Sequence, residues 1–381
     1  MGNAWIVDAV RSPLCRVSKG RSALSGVHPA VLGAEVLQAL VQRNGVDPAW
    51  VDDVVMGNVT PVGEQGLNIG RIAALTAGFP VDVTGVTVNR MCGSSQQAVN
   101  FAAMGCASGF QDLVIAAGVE SMSRVPMGSD AVLAGEGSTL PEELAWRYTI
   151  VPQGESAELV AHRYGLGRDE LDAYAVESHR RVAAAQDAGA FAREIVPIAG
   201  VSADDGVRRG STVADLARLR PAFRPDGVVT AASSSQITDG AAAVLIASDR
   251  AVREYGLRPR ARIVAMATAG CDPTIMLTAP VPATRKALTQ AGLAVGDLDA
   301  VEINEAFASV AVGCGRELGL DFAKTNVHGG AIALGHPLGA SGARLIATLL
   351  GVLERGGGRL GLSTMCIGFG QGIATIVDRD V

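Results

Sequence analysis

Two cysteines and a histidine, Cys92, Cys366 and His336, stand in separate glycine-rich runs, and together they could make and break a thioester. One thiol would be the nucleophile, the imidazole its base, and the other thiol a carrier of a proton to or from carbon. Cys92 lies in Thr87-Val88-Asn89-Arg90-Met91-Cys92-Gly93-Ser94-Ser95-Gln96, and His336 in Gly329-Gly330-Ala331-Ile332-Ala333-Leu334-Gly335-His336-Pro337-Leu338-Gly339-Ala340-Ser341-Gly342. Cys366 opens Cys366-Ile367-Gly368-Phe369-Gly370-Gln371-Gly372, and a fourth run, Val301-Glu302-Ile303-Asn304-Glu305-Ala306-Phe307-Ala308, carries further polar groups. Glycines at this density let backbone N–H groups approach a ligand closely, as holding an oxyanion requires.

The elements that must position these groups show as apolar periodicity. Val83 to Val88 has the β-branched spacing of a short buried strand, and Ser94 to Ala107, rich in Ala and Gln and free of proline, reads as a helix. At that join the Cys92 sulfur would sit at the positive helix end, which favours the thiolate and lowers its pKa. The other three runs each follow a strand-like stretch, and Ser341 is placed to cap a helix.

The chain also repeats itself. Ala39-Leu40-Val41-Gln42 and Val51-Asp52-Asp53-Val54-Val55-Met56-Gly57-Asn58 parallel Ala287-Leu288-Thr289-Gln290 and Leu298-Asp299-Ala300-Val301-Glu302-Ile303-Asn304. Asp112 to Gly118 parallels Arg359 to Met365 in the same way. Helices alternating with short apolar strands imply an α/β fold of parallel sheets covered on both faces, with ligands bound after the strands. Roughly Met122 to Ile237 breaks the pattern with a Gly- and Ser-containing stretch (Gly128 to Thr139) and a helical one (Glu170 to Ala188). Asp239 to Ile246 returns to the first sheet.

Taken together, these runs resemble the thiolase family over nearly the whole chain. The resemblance implies a five-layer α/β/α/β/α arrangement of two duplicated βαβαβαββ-type halves with an inserted loop domain. The halves would be 1–121 plus 238–258, and 259–381, with the substrate- and CoA-covering loop domain over 122–237. It implies Cys92 as the nucleophile acylated by a 3-ketoacyl-CoA, His336 as its base and Cys366 as the α-carbon acid–base. Asn304 would hold a water in one oxyanion hole with His336 as the second donor, and the backbone N–H groups of Cys92 and Gly368 would form the other. Cleavage leaves an enolate and an acyl group on sulfur that free CoA removes; the reverse reaction condenses two acyl-CoA molecules. CoA is then a substrate, with no metal or tightly bound cofactor, and a homodimer or homotetramer is implied.

Five arginines from Arg208 to Arg224 suit phosphate oxygens, or form a solvated face balanced by Asp204, Asp205, Asp215 and Asp226. The resemblance favours CoA: Leu219-Arg220-Pro221-Ala222-Phe223 matches part of the family's CoA-covering loop. It also sets Ser235 against the pantetheine arm, with Ala232-Ser233 where the family has Gly-Asn, and Met276 in the acyl pocket. Pro152 and Gln153 stand where acetoacetyl-CoA-forming members have His and Met, which points to degradative members taking longer acyl chains. His328, where the family often has Asn, is expected to support the site without acting in it.

Composition agrees. The 381 residues allow two or three domains, and a net charge of −6 argues against a nucleic-acid surface. Hydrophobic residues reach 48%, yet no apolar run approaches a membrane span. Six scattered cysteines suggest no disulfide framework and no zinc site, and with the absence of a secretory pattern imply a cytoplasmic enzyme. Two rival readings are a decarboxylating or related condensing enzyme, against which Cys366 speaks, and a non-catalytic acyl-CoA-binding relative, which would tend to lose the nucleophile.

Overall fold

The computed structural model of the protein describes residues 2–131 and 139–381, so the stretch expected over Gly128 to Thr139 lies largely outside the described residues. The first half runs β1 (Ala4–Arg11), β2 (Cys15–Arg16), α1 (Pro29–Asn44), β3 (Asp53–Gly57), α2 (Ile69–Thr76), β4 (Thr84–Val88), α3 (Ser94–Ser108) and β5 (Leu113–Ser121). Helices α4 (Glu142–Arg147), α5 (Gln153–Arg163), α6 (Arg168–Asp187) and α7 (Val213–Leu216) follow, before β6 (Thr238–Ser248) and α8 (Asp249–Glu254). The rest comprises β7 (Ala261–Gly270), α9 (Pro280–Ala291), β8 (Ala300–Ile303), α10 (Ala308–Leu318), α11 (Ala331–Leu334), α12 (Ser341–Gly356), β9 (Leu360–Ile367) and β10 (Gln371–Asp378).

The strands order β4-β3-β5-β6-β1 and then, in mirror fashion, β7-β10-β9-β8. Within each half β3 pairs parallel with β4 and β5, and β8 parallel with β9, while the closing strands pair antiparallel. Among the described residues the sheets of the two halves join through two residue pairs, Trp5 with Arg262 and Ile6 with Ala261. Between them lie α3 and α12, which touch each other and strands of both halves. Helix α12 is buried without a break from Ser341 to Leu350 and α3 over most of its length, as a middle layer demands. The two helices cross so closely that a Cβ on Gly342 would be driven into the backbone of Gln96. Gln96 in turn donates to the Ser363 carbonyl and to Thr375, tying α3 to β9 and β10.

Two expectations are corrected. Val83 to Val88 forms a strand, but β4 is the open edge of its sheet and is exposed or half-exposed throughout. Among the described residues the second half lacks a counterpart to β4: Thr325 makes a single bridge to Val301, so the His336 run does not follow a strand. A side chain replaces the missing ladder. Asn326 accepts from the Ile303 N–H at 2.9 Å and donates to the Ile303 carbonyl at 2.9 Å, satisfying backbone that another strand would have paired.

The insertion is anchored through one buried cation. Arg11 at the end of β1 donates to Glu194 at 2.6 Å and to both oxygens of Asp204, all three residues being nearly solvent-free. Helices α5 and α6 then pack on α10, which brings the start of α5 to the ends of the C-terminal strands.

Candidate active site

Cys92 sits just ahead of α3, with Met91 before it at φ +46°. Phe369, in the β9–β10 turn, has φ +61°. Both are bulky residues in the left-handed region, which costs about 1–3 kcal/mol each and is retained where the backbone must aim particular N–H groups. Here the N–H groups of Cys92 and Gly368 both favour the Cys92 thiolate. They cannot keep it ionised at rest. Burial pushes the thiol up to about 11, outweighing those two N–H groups and the Gln153 amide, with Glu120 adding to the rise. The expected lowering by the helix end is therefore reversed, because desolvation of a buried sulfur exceeds a terminal dipole.

His336 is also neutral. Burial and the neighbouring Arg344 bring it down to about 3. Its tautomer follows from proton counting. Ser341 Oγ spends its single proton on the Pro337 carbonyl at 2.9 Å, so at 2.5 Å from His336 Nδ1 it can only accept. Nδ1 carries the hydrogen, and Nε2 presents a lone pair that accepts from Asn304 Nδ2 at 3.3 Å. The orientation of the Asn304 amide agrees, since its Oδ1 accepts from Arg344 at 3.5 Å. Ser341 is thus no helix cap: α12 has no side-chain cap there, and the hydroxyl fixes the imidazole instead.

The runs are stitched together by backbone bonds. The Asn304 N–H donates to Thr364 of β9, two residues before Cys366, at 3.0 Å. Ser235 N–H donates to Ala306 at 2.9 Å, and His336 N–H to Gln236 at 3.1 Å. Cys92 shares an apolar cluster with Leu338 and Ile367, and it lies close enough to Cys366 to help burial raise that thiol well above its ordinary value. Met276 and Phe307 join the cluster that contains Cys366. Phe223 meets Phe307 edge-on at 5.9 Å and covers Gly154 in α5, where a Cβ would collide with its ring. Arg208 and Arg220 are exposed, and neither pairs with a carboxylate among the described residues. Of the aspartates expected to balance them, Asp204 binds Arg11, Asp205 accepts from the Arg16 N–H and Asp215 caps α7. His328 stands edge-on to Phe191 at 5.7 Å, beside the Arg11 anchor.

Two supporting residues escape the sequence motifs. Glu120, fully buried at the end of β5, accepts from the N–H groups of Val59, Thr60 and Gly339 and from Gln65, so it clamps the His336 loop to the first sheet. Arg344 is buried on α12, 3.7 Å from a Glu302 that burial pushes up to about 8 despite the guanidinium. A carboxylate ending an apolar strand and an arginine inside an apolar helix were the available signals.

A neutral Cys92 thiol makes a checkable expectation. Thiolate is the alkylating form, and below its pKa its fraction grows about tenfold per pH unit. Iodoacetamide modification of Cys92 should therefore still be accelerating above about pH 9, monitored by peptide mass spectrometry. A plateau reached below about pH 8 would mean a resting thiolate and overturn this protonation state.

A buried thiol and a buried neutral imidazole whose Nε2 accepts from Asn304, set on a duplicated α/β frame, are the groups an acyltransferase would use. The chain belongs to the thiolase family: profiles of the thiolase N-terminal and C-terminal domains match residues 4–250 and 257–379. It is 48% identical to a steroid 3-ketoacyl-CoA thiolase of Mycobacterium tuberculosis over 100% of this chain and 95% of that one. It is 46% identical to a beta-ketoadipyl-CoA thiolase of Acinetobacter baylyi and 47% to a 3-ketoacyl-CoA thiolase of Erwinia tasmaniensis, each over the full length of both chains. Among the described residues no helix is long and apolar enough to cross a membrane, and all six cysteines are free.

Proposed function

We propose that this chain cleaves 3-ketoacyl-CoA with Cys92 as nucleophile, His336 as base, Cys366 as the carbon acid–base and Asn304 as a positioning donor. The observation that carries the assignment is that, with Cys366 close enough for Cys92 to raise its thiol, the Cys92 and Gly368 N–H groups both act to favour the Cys92 thiolate. An acyl oxygen attached there falls within the same pair of donors.

The sulfur attacks C3 while its proton passes to His336 Nε2. The C3 carbonyl pair moves to oxygen, and the alkoxide rests on the Cys92 and Gly368 N–H groups. Collapse breaks the C2–C3 bond, its electron pair goes to C2, and Cys366 delivers a proton there. Once Nε2 is protonated Asn304 can no longer donate to it; its N–H turns to a water, and His336 and that water hold the thioester enolate oxygen. CoA then attacks the acyl carbon while its thiol proton passes to the Cys366 thiolate; the tetrahedral alkoxide collapses, the bond from carbon to the Cys92 sulfur breaks, and His336 returns its proton to that sulfur. Atoms and electrons balance without a redox partner, so CoA enters as substrate.

Arg208 and Arg220 are assigned to CoA phosphates, Phe223 and Ser235 to its pantetheine and adenine portions, and Met276 to the acyl wall. The support is the unpaired state of both arginines and the packing of Phe223 over α5 near Phe307. Pro152 and Gln153, together with relatives named for steroid 3-ketoacyl-CoA and beta-ketoadipyl-CoA, favour a degradative role on acyl groups larger than acetoacetyl, as in β-oxidation. The free cysteines suit a reducing cytoplasm. The open edge of β4, with Val86, Phe101 and Met104 exposed beside it, favours a homodimer or a pair of dimers.

Thiolysis with free CoA, followed at the enolate absorbance for acetoacetyl-CoA, a long-chain 3-ketoacyl-CoA and a steroid one, tests the whole. Larger acyl groups should turn over faster. Preference for acetoacetyl-CoA would remove the degradative assignment, and failure with all three would remove the enzymatic one.

A further inference from the structure

Gln153 opens α5, and its side chain reaches back to the nucleophile. A Cβ built on Gly368 would lie 3.3 Å from Gln153 Nε2 and 3.7 Å from Met91 Cγ, so the amide stands beside the turn that supplies the Gly368 N–H. The amide is also one of the groups that favour the Cys92 thiolate. Its place is held from both sides: Pro152 leads into the helix with extended backbone, and Gly154 lies under the Phe223 ring. The side chain is only half-buried, so substrate can meet it.

We infer that Gln153 is a third hydrogen-bond donor for the oxygen on the acyl carbon at Cys92, completing a hole that the backbone supplies with two. This rests on the thiolase mechanism above. As the sulfur adds to the carbonyl carbon, the π pair moves to oxygen, and Gln153 Nε2–H donates to that alkoxide. When the alkoxide collapses, the pair returns to the carbonyl and the donor relaxes; no bond to Gln153 forms or breaks. An amide suits this role because it stays neutral at every pH at which the thiols and imidazole change charge. Unlike the Cys92 and Gly368 N–H groups, this donor can be removed without altering the backbone.

Gln153→Met keeps length and volume but has no donor; Gln153→Glu keeps shape and replaces the donor with an acceptor. In the full chain, single-turnover acylation by acetyl-CoA, read by quench and intact-mass spectrometry, should slow about tenfold or more in Gln153→Met, in line with loss of one oxyanion donor. It should slow further in Gln153→Glu, where a carboxylate faces the developing charge. CoA affinity and thermal midpoint should stay at wild-type values, which separates lost transition-state stabilisation from a disturbed fold. Alkylation of Cys92 should also shift to higher pH in Gln153→Met, as Glu120 and Cys366, which act on that sulfur, remain. Acylation of Gln153→Met within about twofold of wild type, or a Gln153→Glu variant faster than Gln153→Met, would overturn the assignment. If wild-type protein itself forms no acyl-enzyme, the mechanism fails rather than this addition to it.

Discussion

Serine in place of Cys92 is expected to leave no acetyl-enzyme on intact-mass spectrometry and to lower thiolysis by about 10,000-fold or more. The size of the loss follows from the resting protonation states. A thiol held near 11 is already reluctant to give its proton to an imidazole held near 3, and the transfer succeeds only as attack develops inside the donor hole. An alcohol at the same position starts several pKa units higher and is the poorer nucleophile, so neither His336 nor the N–H pair can close the gap. The swap is small, and the surrounding cluster of Val59, Leu338, Ile367 and Ile373 needs little adjustment. A Cys92→Ser protein that still trapped acetyl would refute the nucleophile assignment outright.

The four groups assigned to this chemistry can be picked from the sequence because Cys92, His336 and Cys366 lie in runs rich in small residues, and Asn304 follows an apolar strand among further polar residues. The repeat is legible for a similar reason: α1 to β3 and α9 to β8 keep the same helix, Asp-rich turn and apolar strand. What the sequence hides depends on three dimensions. Asn326 substitutes for a strand by bonding both backbone groups of Ile303, and no periodicity announces a side chain acting as a ladder. The sign of the Cys92 shift turns on burial, which a helix-end argument cannot see. The His336 tautomer hinges on where the Ser341 proton goes, and the sequence shows only that a serine lies five residues on. The aspartates balance that arginine face only in part: Asp204 and Asp205 are engaged elsewhere, while Asp215 acts on Arg218 and Asp226 on Arg224.

Replacing Cys366 with serine should split the reaction in two. Acylation of Cys92 by acetyl-CoA needs His336 and the donor hole but moves no proton at carbon, so it should persist within a few-fold of wild type. Thiolysis and condensation each require a proton to reach or leave Cα, and both should fall by about 100- to 10,000-fold, the span of a lost general acid–base. Burial and the nearby Cys92 keep the Cys366 thiol protonated, which is the form able to quench a carbanion. A hydroxyl in its place is the weaker acid by several units, so the enolate would wait unprotonated and re-form the carbon–carbon bond. Exchange of the acetyl-CoA methyl protons with deuterated water isolates this step: it should vanish in the Cys366→Ser protein while the acetyl-enzyme still accumulates. Full turnover in that variant would take Cys366 out of proton transfer. Loss of acylation along with exchange would mean that the two sulfurs act as one unit, coupled through the electrostatic contact by which Cys92 already raises the Cys366 thiol.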